Sequence, residues 1–226
     1  MSIGQKIIDA IEKRRDEQRK LHPGAIGHFW RNGGDRLLYD LPVITGSLVI
    51  DGGGYKGEWS AEIIARYGCK ILVFEPVPQF AEHLQKYFKN NQLVTIIMKA
   101  LGGSSRRTTF NYLDNGTSEY RGDDAKEHIT ADVVDIVRIF EEMGGARIAC
   151  LKLNVEGGEY EVLERMIETN KVELCDSLLI QFHRQPKGYE DRYIKIVEAL
   201  QKTHIQSWCY EMVWEKWVCI QKDNDY

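Results

Sequence analysis

The stretch LVIDGGGYKGEW, residues 48–59, decides the fold because it joins three patterns in one short segment. An apolar run comes first, four glycines within six positions follow, and a helical pattern begins after them. Residues 52–57 read G-x-G-x-x-G, a loop in which the backbone can approach a bound ligand closely. The order strand, glycine loop, helix predicts the first strand and the ligand-binding loop of a parallel α/β sheet.

The composition limits the classes of protein. The chain has 226 residues, 43% hydrophobic and 28% charged, which suits one globular domain. Its formal net charge is −4, so we expect no nucleic-acid partner. The five cysteines lack C-x-x-C spacing and the six histidines do not cluster, which argues against a zinc site and a disulfide framework. Without a bilayer-length apolar run or a signal-peptide core, we expect a cytoplasmic protein with no membrane insertion.

The first 46 residues differ in pattern from the rest of the chain. Residues 3–20 are predicted as an amphipathic helix, because isoleucines recur at helical spacing over residues 3–11 and a Pro-Gly pair ends the pattern. Residues 24–46 are rich in glycine but hold several large apolar side chains, which favours an ordered lid over a linker. We expect residues 1–46 to form a helix and a lid-like segment packed on the core. The isoleucine stripe needs a cover, and a homo-oligomer formed through this helix is one way to supply it.

From residue 47 onward, strands alternate with loops and amphipathic helices. The segments predicted as strands are 47–51, 70–76, 94–101, 108–113, 129–136, 148–156, 177–183, 205–210 and 214–221. Near-continuous apolar strands between helices predict a doubly wound, mostly parallel α/β sheet that is covered on both faces. The last two strands have no helix between them, which predicts one antiparallel strand near the C-terminus. We expect residues 47–226 to form the catalytic domain of a single-domain protein.

Asp51 and Glu75 indicate which ligand the glycine loop holds. Glu75 ends the second strand, where a carboxylate suits the two hydroxyls of a ribose. That position fits a nicotinamide dinucleotide and S-adenosylmethionine equally. Asp51 favours S-adenosylmethionine, because an anion beside the first glycine repels a pyrophosphate but can hold an α-ammonium group, directly or through water.

Five blocks of the sequence resemble the FkbM-type methyltransferases, a branch of the S-adenosylmethionine-dependent Rossmann-like enzymes. The blocks are VIDGGGYKGEWS, VFEPVPQFAEHL, KALGG, LKLNVEGGEYEVL and LLIQFH, and the resemblance covers residues 37 to about 221. It implies S-adenosylmethionine as methyl donor, S-adenosylhomocysteine as product, and O-methylation of a hydroxyl, often on a sugar. The resemblance is closest to a subset found among bacterial polysaccharide genes, which implies a role in surface polysaccharide or glycan biosynthesis. The expected partner is a small-molecule or glycan acceptor.

The resemblance and the strand ends together suggest a set of cofactor-binding residues. The set is Asp51, Gly52, Gly53, Gly54, Tyr55, Gly57, Glu75, Pro76, Ala100, Ser118 and Asn154. The usual form of the fourth block reads I-D-V-E-G, whereas this chain has Asn154 in place of the aspartate. An amide is no base and a poor magnesium ligand, so we expect no metal and a positioning role for Asn154 towards an acceptor hydroxyl or the donor.

Three residues at the later strand ends are the catalytic candidates, namely His183, Glu156 and Asn154. Deprotonating a sugar hydroxyl needs a base, and a histidine with an apparent pKa of roughly 6–7 suits that task. Glu156 is the alternative base. It can also bind substrate hydroxyls or only stabilise the N-terminus of the next helix.

Four further polar residues have weaker predicted roles. Glu159 and Glu161 fall in the first turn of a helix and are predicted as surface charges that complement its dipole, with Glu159 the better candidate for a second role. Ser118 is expected to contact adenine or substrate. For Asp135, a helix cap is as good an interpretation as a ligand contact.

Three other classes of function stay open at this stage. An N-methyltransferase acting on a small molecule or a protein is compatible with Asn154. A nicotinamide-dependent oxidoreductase is compatible with the glycine loop. A non-catalytic member of the fold, or an interaction module that uses the N-terminal helix, is the third.

Overall fold

The computed structural model describes residues 24–112, 116–120 and 127–220. The helix predicted over residues 3–20 lies outside these residues. The chain divides into two compact units, residues 1–40 and 41–226. In the first unit, helix α1 (Ala25–Arg31) carries the buried Phe29, whose ring lies beside Gly34 of helix α2 (Gly34–Leu37) and packs edge-on against Trp30. The lid-like role of residues 24–46 stays a prediction.

The second unit contains a seven-stranded sheet. Its strands are β1 (Leu48–Gly52), β2 (Lys70–Phe74), β3 (Val94–Ile97), β7 (Cys150–Leu153), β8 (Ser177–Ile180), β9 (His204–Tyr210) and β10 (Trp214–Cys219). They lie in the order β3-β2-β1-β7-β8-β10-β9. Strand β10 runs antiparallel to both of its neighbours, whereas the other pairs are parallel. The prediction of a mostly parallel α/β sheet with one antiparallel strand near the C-terminus is confirmed.

Amphipathic helices supply the layers around this sheet. They are α3 (Glu58–Tyr67), α4 (Pro78–Tyr87), α5 (Ile136–Glu142), α6 (Glu159–Glu168) and α7 (Tyr189–Leu200), with a 3₁₀ turn at Lys171–Leu174. The central strand β7 is buried at all four positions, as expected for a parallel strand covered on both faces. Its Leu151 and Leu153 belong to a core that also contains Ile50, Phe140 and Trp217.

The segment predicted as one strand over 94–101 is two strands in two different sheets. After β3, the chain leaves the main sheet and forms β4 (Ala100–Gly102). This strand belongs to a three-stranded sheet of order β4-β6-β5, with β5 (Arg106–Tyr112) and β6 (Glu127–Asp135). The apolar pattern runs through the break, so hydrophobic periodicity could not locate it. The small sheet has its own apolar cluster of Ala100, Phe110, Ala131 and Val133.

The strand order determines where a ligand can bind. The chain winds outward from β1 to β2 and β3, and later from β7 to β8 on the other side of β1. Ligands of such sheets bind outside the carboxyl ends of the strands, at the point where the order reverses. That point lies between β1 and β7.

Candidate active site

A cavity of about 380 Å³ lies at the carboxyl ends of β1, β2, β7 and β8 and is closed on one side by the three-stranded sheet. This volume is typical of a small-molecule site. The predicted residues that line it are Gly53, Tyr55, Glu75, Pro76, Ala100, Asn154 and Glu156. The predicted residues that lie outside the lining are Asp51, Gly52, Gly54, Gly57, Ser118 and His183.

The glycine loop lies directly on the ends of the neighbouring strands. Gly53 has a φ of 89°, and a Cβ built on it would be 2.1 Å from the backbone oxygen of Asn154. A Cβ on Gly54 would be 2.3 Å from Cγ1 of Val73. Neither position can hold a side chain. Gly53 faces the cavity, as predicted for a loop that approaches a ligand. Gly54 does not, and it is a glycine because it packs against Val73.

Asp51 has protein partners for both carboxylate oxygens. Its Oδ1 accepts a hydrogen bond from Nζ of Lys152 at 2.8 Å, and its Oδ2 accepts one from the Ser60 hydroxyl at 2.6 Å. The side chains of Asp51 and Lys152 are 1% and 5% exposed. The expected contact between Asp51 and an ammonium group of the donor finds no support in this geometry, because an internal lysine ammonium already occupies that place.

Lys152 also binds the glycine loop. Its Nζ donates to the backbone oxygen of Gly53 at 2.7 Å and lies 5.7 Å from the centre of the Trp59 ring. We did not single out Lys152 from the sequence, although a lysine inside the apolar strand IACLKLN is a signal, because a buried lysine needs an acidic partner. The Asp51–Lys152 pair therefore holds the glycine loop in place at the end of β1.

Glu75 is placed as expected at the end of β2. Its Oε2 accepts the N–H of Tyr55 at 2.8 Å and its Oε1 accepts the N–H of Val77 at 2.9 Å. These bonds fix the carboxylate at the cavity wall and leave each oxygen capacity for a further donor. Burial raises the pKa of Glu75 to about 7, although the two backbone N–H groups act in the opposite direction.

Asn154 presents an unsatisfied acceptor at the end of β7. Its Oδ1 is buried and has no hydrogen-bond partner among the described residues. A buried carbonyl without a donor is costly, so this oxygen is suited to receive an O–H or N–H group from a ligand.

Ser118 has a structural role that differs from the expected ligand contact. Its hydroxyl donates to the backbone oxygen of Glu156 and its side chain is buried. The neighbouring residues Thr117, Glu119 and Tyr120 line the cavity instead. Ser118 thus ties this segment to the loop that carries Glu156.

His183 lies between two carboxylates. Its Nε2 is 3.2 Å from Oε1 of Glu156 and its Nδ1 is 2.9 Å from Oε1 of Glu159. Burial disfavours the charged ring, but the hydrogen bonds and negative charges of Glu156 and Glu159 outweigh burial and raise the pKa of His183 to about 10. The predicted pKa of roughly 6–7 is therefore wrong for His183 in this environment. At neutral pH the ring is an imidazolium that cannot take a proton, and Glu156 is the member of the group that faces the cavity.

The two acids in the first turn of helix α6, Glu159 and Glu161, are not the surface charges that were predicted. Glu159 is fully buried, and Glu161 lines the cavity and pairs with Arg106 at 2.8 Å. Arg106 also pairs with Glu119, so one cation offsets part of the charge of two acids of the lining. No local sequence pattern predicts this contact, because strand β5 and helix α6 are far apart in the chain.

Asp135 is a helix cap. Its Oδ1 accepts the N–H of Val137 at 2.9 Å at the start of α5, and its Oδ2 pairs with Arg165. Of its two interpretations, the cap is confirmed.

Among residues 24–112, 116–120 and 127–220, no three or more His, Cys, Asp or Glu side chains group in a way that could hold a metal ion. Within the same ranges, no helix combines the length and the apolar character that crossing a membrane requires.

The fold and the cavity define a class of protein. A seven-stranded sheet with one reversed strand near its end, and an acid at the carboxyl end of β2, are features of the Rossmann-like methyltransferases. The sequence profile of the methyltransferase FkbM domain matches residues 51–207. The chain belongs to this family, and it is an S-adenosylmethionine-dependent methyltransferase.

A solved structure shares this fold. A protein from Clostridium thermocellum, described as a candidate rRNA methylase, superposes with a TM-score of 0.53 at 10% identity over 84% of this chain and 96% of that one. An rRNA methylase from Streptococcus thermophilus gives a TM-score of 0.49 at 11% identity over 83% and 95% of the two chains. At such identities, the first likeness shows the fold alone. No curated protein matches the chain in sequence.

The cavity fits the donor that the family uses. Glu75 offers two acceptor oxygens for a ribose diol, and Gly53 leaves room where any side chain would collide with β7. Pro76, Ala100 and Phe80 add apolar surface for a planar base.

We expect donor affinity to depend on pH through Glu75. Ribose hydroxyls donate to the ionised carboxylate, so binding must remove the proton that the free protein carries below its pKa of about 7. The affinity for S-adenosylhomocysteine should fall by about tenfold per pH unit below that value and level off above pH ~8. Calorimetry of the wild type, Glu75→Gln and the exposed control Glu58→Gln measures this. A Glu75→Gln variant with wild-type affinity and wild-type pH dependence would contradict the assignment.

We also expect Asp51 and Lys152 to contribute to the free energy of unfolding as a coupled pair. Lys152→Met leaves Asp51 buried without its cation and should lower the free energy of unfolding by about 3–5 kcal/mol. The double variant Asp51→Asn/Lys152→Met should recover part of that loss, because no uncompensated charge remains. Urea unfolding measures these values, with the exposed Lys70→Met as the control. Single changes that each cost under about 1 kcal/mol and simply add would show that the pair is not coupled.

Proposed function

We propose that the protein transfers a methyl group from S-adenosylmethionine to a hydroxyl of a sugar, in the biosynthesis of a surface polysaccharide or another glycan. The observation that carries this proposal is the buried Oδ1 of Asn154, which has no hydrogen-bond partner among the described residues. It needs a donor, and a hydroxyl is one. Glu156 and Glu161 add acceptor oxygens to the same cavity, which suits a ligand with several hydroxyls.

The residues divide the work between donor and acceptor. When bound, S-adenosylmethionine supplies an electrophilic methyl group on its sulfonium. Glu75 holds the ribose at one end of the cavity. Asn154 accepts a hydrogen bond from the acceptor hydroxyl and orients its oxygen, which contributes through positioning. The carboxylate of Glu156 takes the hydroxyl proton, since His183 is already charged.

The charge of the cavity disfavours an anionic acceptor. Four lining residues are acids, namely Glu75, Glu119, Glu156 and Glu161, and Arg106 pairs with two of them. This lining disfavours a phosphate beside the reacting group and gives no reason to invoke a nucleic acid. We place the reaction in the cytoplasm, in keeping with the free cysteines Cys69, Cys150, Cys175, Cys209 and Cys219.

We expect Asn154 to act on the acceptor and not on the donor. Asn154→Leu removes the acceptor oxygen at similar volume, so kcat/KM for the sugar should fall by about 10–100-fold. Asn154→Asp retains an acceptor oxygen and should keep activity within about tenfold of the wild type. Both variants should bind S-adenosylhomocysteine within about threefold of the wild type. A large loss of donor affinity in Asn154→Leu would place the amide on the donor and contradict the proposal.

An amine acceptor is the second candidate, because the same oxygen of Asn154 can receive an N–H group and the acidic lining suits a cation. Offering paired sugars and amino sugars with labelled donor separates the two. Methyl groups found on oxygen support the proposed function, and methyl groups found only on nitrogen replace it with N-methylation.

A further inference from the structure

The carboxylate of Glu159 makes three contacts inside the protein. Its Oε1 accepts the N–H of Val155 at 2.8 Å, and its Oε2 accepts the N–H of Gly157 at 2.8 Å. Oε1 also lies 2.9 Å from Nδ1 of His183. Glu159 is 0% exposed and does not line the cavity, so it cannot meet a substrate itself.

His183 connects Glu159 with Glu156, which lines the cavity. Its second ring nitrogen lies 3.2 Å from Oε1 of Glu156, so each ring nitrogen faces a carboxylate. Only an imidazolium can donate from both nitrogens. The hydroxyl of Tyr160 donates to the backbone oxygen of His183 at 2.6 Å and holds this residue in place from helix α6.

Glu156 needs such support because of its backbone. Its φ is 53°, in the left-handed region that a residue with a side chain adopts at a cost. Glu156 lies between Val155 and Gly157, whose N–H groups donate to Glu159. The backbone oxygen of Glu156 accepts hydrogen bonds from the Ser118 hydroxyl and, at 2.9 Å, from the side-chain amide of Gln185. The loop is therefore held on both sides, and the side chain is held at its carboxylate by His183.

We propose that Glu159 is a positioning residue for the methyl transfer, and that it acts through His183 to fix the carboxylate of Glu156 at the acceptor side of the cavity. This inference rests on the proposed function, in which Glu156 takes the hydroxyl proton. Without the Glu159 charge, His183 loses its anionic partner at Nδ1, the imidazolium is no longer favoured, and Glu156 loses the cation that holds it.

The competing explanation is that Glu159 only shapes the loop through the N–H groups of Val155 and Gly157. The two explanations differ for His183→Gln. This change leaves both backbone contacts of Glu159 intact but breaks the link to Glu156. A link through His183 requires the Glu159 and His183 variants to share one defect, whereas loop shaping alone gives two independent defects.

The first test is a kinetic cycle on the full chain, with a sugar that the wild type methylates. Glu159→Gln and His183→Gln should each lower kcat by about 10–100-fold, with the acceptor KM and the affinity for S-adenosylhomocysteine within about threefold. The double variant should be no more than about threefold worse than the poorer single variant. Glu168→Gln, an exposed change at the end of the same helix, is the matched control and should leave kcat unchanged. Losses that multiply in the double variant, or donor affinity that falls together with kcat, would overturn the proposal.

The second test follows the His183 ring by ¹⁵N NMR across pH and needs no acceptor. The ring should stay protonated through pH ~8 in the wild type and in Glu168→Gln, but lose its proton near or below neutral pH in Glu159→Gln. If Glu159→Gln does not fold, Glu159→Asp keeps a carboxylate near the loop, and the ring should titrate at a pH below the wild-type value because the shorter side chain holds Nδ1 less closely. If the wild type methylates no sugar, the proposed acceptor is wrong. The titration of His183 still tests the link from Glu159 in that case. An unchanged titration of His183 in every folded Glu159 variant would overturn the proposal.

Discussion

The buried pair of Asp51 and Lys152 is the contact on which the site depends. The two residues are opposite each other in the register of β1 and β7, the strands between which the winding direction of the sheet reverses. Removing two charges from water is costly, and the cost is offset only where geometry is good and the remaining donors and acceptors are satisfied. Here the Ser60 hydroxyl and the Gly53 carbonyl complete the arrangement. The pair therefore fixes the ends of both strands and the loop between β1 and α3 at once.

The rest of the cavity follows from that fixed loop. Gly53 lies against the backbone of Asn154, so the loop after β1 and the end of β7 can be close only while position 53 lacks a side chain. Tyr55, at the far side of the loop, donates its N–H to Glu75 and orients this carboxylate at the end of β2. The loop after β1 therefore positions both Glu75 on the donor side and Asn154 on the acceptor side.

A second set of charges, most of them partly buried, shapes the acceptor side. His183 shares its charge between Glu156 and Glu159, and Arg106 shares its charge between Glu119 and Glu161. In both cases one cation pairs with two acids, which offsets part of their negative charge and holds Glu156, Glu119 and Glu161 at the cavity. The result is a wall rich in acceptors that can meet hydroxyl groups.

The sequence was informative where an effect is local and failed where it is long-range. Apolar runs bounded by glycines predicted the strands, and the carboxylate that ends β2 predicted Glu75 at the cavity. The roles of Asp51 and His183 could not be predicted in the same way, because their charge states depend on partners from other strands and loops. Lys152 is 101 positions from Asp51, and Glu159 is 24 positions from His183. The split of residues 94–101 escaped detection because Ala100 and Leu101 are apolar in either sheet.

A crystal structure with S-adenosylhomocysteine bound tests most directly whether Asp51 shapes the loop or binds the donor. We expect the ribose hydroxyls on the Glu75 carboxylate, and Nζ of Lys152 still within hydrogen-bond distance of Asp51 and the Gly53 oxygen. A complex in which Lys152 has moved away and the ligand's ammonium group contacts Asp51 would contradict this, and would return Asp51 to the role of a direct donor ligand.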